Sequence, residues 1–172
     1  MRYGNPSIPQ ALKEFAEEQI NKICVLPLYP QYSSATTAST FDKIAKSLVK
    51  TLDMPELRFI KDYHQFPTYI EALAASITQA WQKHTKSDLL IFSFHGLPQE
   101  FVQQGDPYAD QCHATAKLTA KYLGLRSDEW MTTFQSRFGP KQWLQPYTDM
   151  TLKSLPEKGI KTVDIICPGF AA

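Results

Sequence analysis

Leu89-Leu90-Ile91-Phe92-Ser93-Phe94-His95-Gly96-Leu97-Pro98 is the stretch on which the fold turns. Five of its first six residues are large and apolar, none is charged, and a glycine and a proline end the run just after a histidine. Leu89 to Phe94 is therefore predicted to be a strand. His95 then stands at its carboxyl end, the place where open parallel sheets expose residues to a ligand crevice. A structural alternative stays open on these residues alone: a histidine serving the turn that Gly96 and Pro98 impose.

Outward from this strand the chain alternates short β-rich runs with amphipathic helical stretches, the pattern of a parallel sheet covered by helices, so the fold class is α/β. On the N-terminal side, Ser7-Ile8-Pro9-Gln10 combines a capping hydroxyl, an early proline and a glutamine, and predicts a helix to about Ile20. Ile23 to Leu28 reads as a buried strand. Phe41, Ile44, Leu48 and Leu52 have helical spacing, Met54-Pro55 is a breaker, and Leu57 to Ile60 is a short strand. Pro67 opens a further helix with Ile70, Leu73, Ile77 and Trp81 on one face, and the polar Lys83 to Ser87 is the candidate boundary.

On the C-terminal side a helix is expected from about Tyr108 to Leu123, ended by Gly124, then a strand from Trp130 to Phe134. A helix from about Asp149 to Leu155 and a strand from Thr162 to Cys167 complete the pattern. Two small domains result, residues 1–86 and 87–172, each an incomplete parallel-sheet sandwich. Their shared strand-and-helix rhythm carries no obvious residue-level identity.

Composition narrows the function. Eighteen basic against seventeen acidic side chains give a formal charge of +1, with no block of like charge to follow a phosphate backbone, so nucleic acid is a poor candidate partner. No apolar run approaches a membrane span and the N-terminus lacks the apolar core of a signal peptide, which points to a cytoplasmic protein. Cys24, Cys112 and Cys167 are odd in number, far apart and without C-x-x-C pairing, so neither a disulfide framework nor a zinc site is indicated. Reduced, mostly buried thiols are expected.

Three strand-end segments carry aromatic and polar groups together: Leu28-Tyr29-Pro30-Gln31-Tyr32-Ser33-Ser34, the His95 loop, and Phe134-Gln135-Ser136-Arg137-Phe138-Gly139-Pro140 with Trp143 beyond it. They imply one crevice for a large, flat, partly apolar ligand. Gly105-Asp106-Pro107-Tyr108 has a structural explanation, a turn in which Asp106 caps the helix that Pro107 begins.

These segments, with Arg2-Tyr3-Gly4-Asn5-Pro6 and Cys167-Pro168-Gly169-Phe170, resemble the ferrochelatase family in order and spacing throughout the chain, and its bacterial branch most of all. The resemblance implies two Rossmann-like domains with a porphyrin held in the cleft between them. Ferrous iron is exchanged there for two pyrrole protons, in heme biosynthesis. His95 matches the family's histidine, described as a ligand for the incoming metal or an acceptor for porphyrin protons. Either role suits an imidazole. Arg2, Trp143 and Phe170 match residues near the macrocycle, and Tyr29 and Ser33 lie in a matching segment.

The resemblance also implies departures. The family's opening strand, with its Leu-Gly-Thr-Pro-type loop, has no counterpart before Met1. The pattern beyond Phe170-Ala171-Ala172 continues in the family into an Asp-x-x-Glu-Thr-Leu segment that supplies a carboxylate opposite the histidine. An internal fragment, inactive by itself, is therefore expected. Glu100, Asp106 and Asp110 are the nearest carboxylates in sequence to His95, and none matches the family's catalytic position. Some members bind an iron–sulfur cluster partly through a cysteine where this chain has Ser34, so no cofactor beyond the substrate iron is expected. Porphyrin and ferrous iron are the implied partners, with room for peripheral membrane contact and no oligomeric state indicated. Two other readings compete: a related chelatase for another tetrapyrrole or metal, and a non-catalytic tetrapyrrole-binding or partner-docking module.

Overall fold

The computed structural model describes residues 4–49 and 51–170, and in it every expected strand forms, in two parallel sheets. Strands β1 (Lys22–Val25) and β2 (Glu56–Phe59) pair in parallel as one sheet. Strands β3 (Leu89–His95), β4 (Trp130–Gln135) and β5 (Val163–Ile166) form the other, in the order β4-β3-β5. The helices between them are α1 (Ile8–Glu17), α2 (Ser39–Leu48), α3 (Pro67–Lys83), α4 (Gln99–Gln103), α5 (Tyr108–Tyr122) and α6 (Thr148–Ser154). None of the described helices is long and apolar enough to cross a membrane.

The apolar run that opens the sequence argument is buried from Leu89 through Phe94, and the two-residue period of a strand divides it between two cores. Leu90, Phe92 and Phe94 face Ala109, Cys112 and Ala116 of α5 and Ile77 of α3, whereas Leu89 and Ile91 meet Leu155 with Leu152 of α6 packed alongside. A central parallel strand covered on both faces has this composition. Because β4 and β5 lie on opposite sides of β3, the direction of winding reverses at β3. Crevices for ligands open at the carboxyl ends of strands flanking such a switch point. His95 is the last residue of that strand.

Local differences from the sequence reading have local causes. The first helix is capped as expected, with Ser7 Oγ accepting from the Gln10 amide at 3.3 Å, but it stops at Glu17 because Gln19 takes a positive φ of 58°. The first strand ends at Val25 rather than Leu28. The helix expected near Phe41 begins at Ser39 and is preceded by one π-helical turn, Ser34–Ala38, that hydrophobic spacing does not signal. The short α4 was likewise not anticipated.

One expectation is corrected: the three thiols are free, but only Cys112 is buried. Cys24, on β1, and Cys167, just beyond β5, are exposed.

Candidate functional site

His95 leaves the sheet at a point held by three independent contacts. The Gly96 amide donates to the Gln135 carbonyl at 2.7 Å, which extends the β3–β4 ladder by one residue. The Tyr108 hydroxyl donates to the His95 carbonyl at 3.0 Å, and burial pushes that phenol's pKa up, so it stays a donor. The third contact fixes the ring: His95 Nδ1 lies 2.7 Å from the Gly96 carbonyl oxygen. A carbonyl can only accept, so Nδ1 carries a proton, and in the neutral ring the unshared pair is then on Nε2. The side chain itself is exposed into a cavity.

Gly96 is required by space. A Cβ there would stand 2.9 Å from the Gln135 carbonyl oxygen and 3.0 Å from Trp143 Cε3. The loop after β4 is laced to the His95 loop by Gln99 N to Gln142 O and Leu144 N to Leu97 O, both 2.9 Å, and this lacing carries Trp143 to the histidine. The Trp143 indole is 95% buried, donates Nε1–H to the Phe138 carbonyl at 3.0 Å, and has its ring centroid 6.5 Å from that of His95. Phe170, on the turn after β5, approaches His95 from another side with centroids 6.2 Å apart.

The cavity has a volume of about 610 Å³, within the range of small-molecule sites. Its lining draws on three strand ends: Tyr29, Gln31 and Ser33 after β1, His95 through Pro98 after β3, and Phe138 through Trp143 after β4, with Gly169 and Phe170 closing it. The single crevice inferred from three strand-end loops is present, and it lies between loops that follow strands of both sheets. Of the residues singled out, His95, Tyr29, Ser33, Trp143 and Phe170 all line it. Arg2 lies outside the described residues.

Side chains from both halves seal the seam. The 98% buried Gln31 donates to Thr115 Oγ1 at 3.0 Å, Thr115 Oγ1 donates to the His64 carbonyl at 2.8 Å, and the Tyr32 amide donates to Gln111 Oε1 at 2.7 Å. Tyr69 of α3 donates to the Pro168 carbonyl at 2.7 Å, its phenol pKa raised by burial. Gln31, Tyr32 and Pro168 lie in segments the sequence singles out, but their partners His64, Gln111 and Thr115 do not. Their signal, a polar residue inside an otherwise apolar helix face such as Thr115 of α5, is faint beside ordinary surface polarity.

Asp106 does more than serve the start of α5. The N-cap position of α5 is Pro107 rather than Asp106, whose Oδ1, one residue earlier, accepts from the Tyr108 amide at 3.0 Å, while Oδ2 accepts from Ser33 Oγ at 3.1 Å and from both Ser34 N and Ser34 Oγ at 2.8 Å. Glu100 pairs with Lys141 at the rim. Among the described residues no group of three His, Cys, Asp or Glu side chains is placed to hold a metal ion. The described site thus offers one imidazole nitrogen in an aromatic cavity.

The ferrochelatase family model matches residues 1–172. The ferrochelatase of Marinobacter nauticus is 55% identical over 172 residues, covering all of this chain and 46% of the relative. That of Alcanivorax borkumensis is 54% identical over 172 residues and 50% covered, and that of Vibrio cholerae 49% identical over 171 residues and 53% covered. The chain spans about half the length of the curated relatives it matches.

Proposed function

The chain belongs to the ferrochelatase family, and from that premise we propose that its cavity receives a porphyrin and forms the histidine side of an iron-inserting site. One observation carries the reading: an imidazole whose Nδ1 donates to the Gly96 carbonyl leaves Nε2 as the nitrogen that holds the lone pair of the neutral ring, inside a cavity walled by Tyr29, Trp143 and Phe170. Insertion replaces two pyrrole N–H protons with Fe²⁺ and releases both protons. The lone pair on Nε2 serves either way, taking a pyrrole proton or ligating the incoming iron, and iron is here a substrate. A positioned base contributes about 10²- to 10⁴-fold.

In this reading Trp143 and Phe170 flank the macrocycle, Tyr29 and Ser33 face it from the other sheet, and Arg2 belongs to the porphyrin-binding set. The domains divide at 86/87, with α3 on the seam between them. Porphyrin and ferrous iron are the partners, the location is cytoplasmic, and no iron–sulfur cluster is bound. Ser34, at the cluster cysteine's place, spends its hydroxyl and its amide on Asp106.

Titration of this chain with protoporphyrin, followed by porphyrin absorbance and fluorescence, should give saturable binding that Trp143→Ala weakens. In a ferrochelatase of the relatives' full length carrying these residues, His95→Ala should cut iron-dependent loss of porphyrin fluorescence by at least about 100-fold while binding changes little. A variant retaining more than about a tenth of the rate would make His95 a turn residue and overturn the assignment.

A further inference from the structure

We propose that Asp106 is a positioning residue: its carboxylate ties the Tyr29–Ser34 wall of the cavity to the half of the molecule that bears His95, and so sets the separation across which the ligand is gripped. The geometry is two-sided. The two carboxylate oxygens divide their work, Oδ1 taking the amide of Tyr108 at the start of α5 and Oδ2 taking three donors from Ser33 and Ser34, 72 and 73 residues away in sequence. Two residues further on, the Tyr108 hydroxyl holds the His95 carbonyl. One turn, Asp106–Tyr108, therefore grips the histidine's strand end on one side and the opposite wall on the other.

The effect passes into the wall through Ser33. Its Oγ donates to Asp106 and accepts from the Ala35 amide at 3.2 Å, which caps the π-helical turn Ser34–Ala38, and Ala35 and Thr36 of that turn line the cavity. An ionised acceptor serving several donors at 2.8–3.1 Å makes the stronger kind of hydrogen bond. Without it the wall would keep Tyr32 N to Gln111 and Gln31 to Thr115, which hold its start but not the turn. The consequence for the ligand rests on the porphyrin reading of the cavity; the tethering does not.

The test uses this chain, with hydrogen exchange and protoporphyrin titration run on wild type, Asp106→Ala, Ser33→Ala/Ser34→Ala and the triple variant. Asp106→Ala should speed exchange of the Ser34–Ala38 amides at least about tenfold while the β3 amides keep their protection. Protoporphyrin affinity of Asp106→Ala should fall about tenfold, and the triple variant should speed exchange of the Ser34–Ala38 amides no more than either parent, because all three act on that turn through one junction. Unchanged exchange over residues 34–38 would reduce Asp106 to a support for the start of α5 and overturn the proposal. If Asp106→Ala also exposes β3, the serine pair, which leaves the Asp106 contact with the Tyr108 amide intact, decides by the same criterion. Faster wall exchange in the variants, together with a wild type that binds no porphyrin, would sustain the tether and sink the porphyrin reading instead.

Discussion

At the scale of single residues the site depends on two atoms that leave no room for change. Gly96 has no Cβ because the Gln135 carbonyl and the Trp143 ring already occupy that space. Gly96→Ala should therefore push Trp143 away from His95 and destabilise the chain by about 1–3 kcal/mol, the usual cost of overpacking. Thermal unfolding and the near-ultraviolet signal of the indoles check it, and an unchanged aromatic spectrum with full porphyrin affinity would contradict the tight contact. The histidine at a strand end was legible in sequence because a glycine and a proline bracket the exit from an apolar run. Its tautomer was not, because that follows from the 2.7 Å approach of Nδ1 to the neighbouring carbonyl, a matter of one rotamer.

Between elements, α3 is joined to β5 by a buried-edge carboxylate. Asp164 Oδ2 accepts from Trp81 Nε1 at 2.6 Å and from Ser87 Oγ at 2.8 Å, tying the end of α3 and the following connector to the edge strand. Burial works to raise the Asp164 pKa, but the hydrogen bonds from Trp81 and Ser87 outweigh it and hold the pKa below its ordinary value. A carboxylate so depressed contributes stability at pH above its unfolded value of about 3.9, and that contribution is lost as pH falls through the lower folded value. Asp164→Asn should thus cost less than about 1 kcal/mol at pH 7, solvent screening weakening the interactions of a partly exposed carboxylate, and the gap from wild type should shrink as pH drops below about 4. Denaturant melts at pH 7 and pH 3 measure it, and a pH-independent difference would mean the charge plays no part. The periodicity of Ile70, Ile77 and Trp81 announced α3, but its packing against α5 could not be read from a pattern that names the buried face and not its partner.

For the whole molecule the two sheets differ in support. Strand β3 is buried on both faces between two cores, while β1 buries only Ile23, β2 alternates exposed with partly covered positions, and the two form a two-strand sheet. Two strands are marginal without further packing. Amides of Lys22–Val25 and Glu56–Phe59 should exchange at least about tenfold faster than those of Leu89–Phe94, and equal protection would show that the molecule opens as one unit. A ligand seated between loops of both sheets stabilises the folded state by about 2.7 kcal/mol at 100 times its Kd. Saturating protoporphyrin should raise the melting midpoint by several degrees, and a midpoint unmoved by ligand would place its binding elsewhere. What the sequence by itself determined is therefore the local part: five strands, the principal helices, the α/β class and a histidine at the mouth of a sheet, because apolar period and turn chemistry act over a few residues. The sharing of one crevice by three strand-end loops was also legible, but only the tertiary structure decided that Asp106 holds Ser33 and Ser34 and that Gln31 reaches Thr115. Those contacts join positions 72 to 84 residues apart, and a hydrogen bond across such a gap exists only once the loop after β1 and helix α5 have been brought together by the fold.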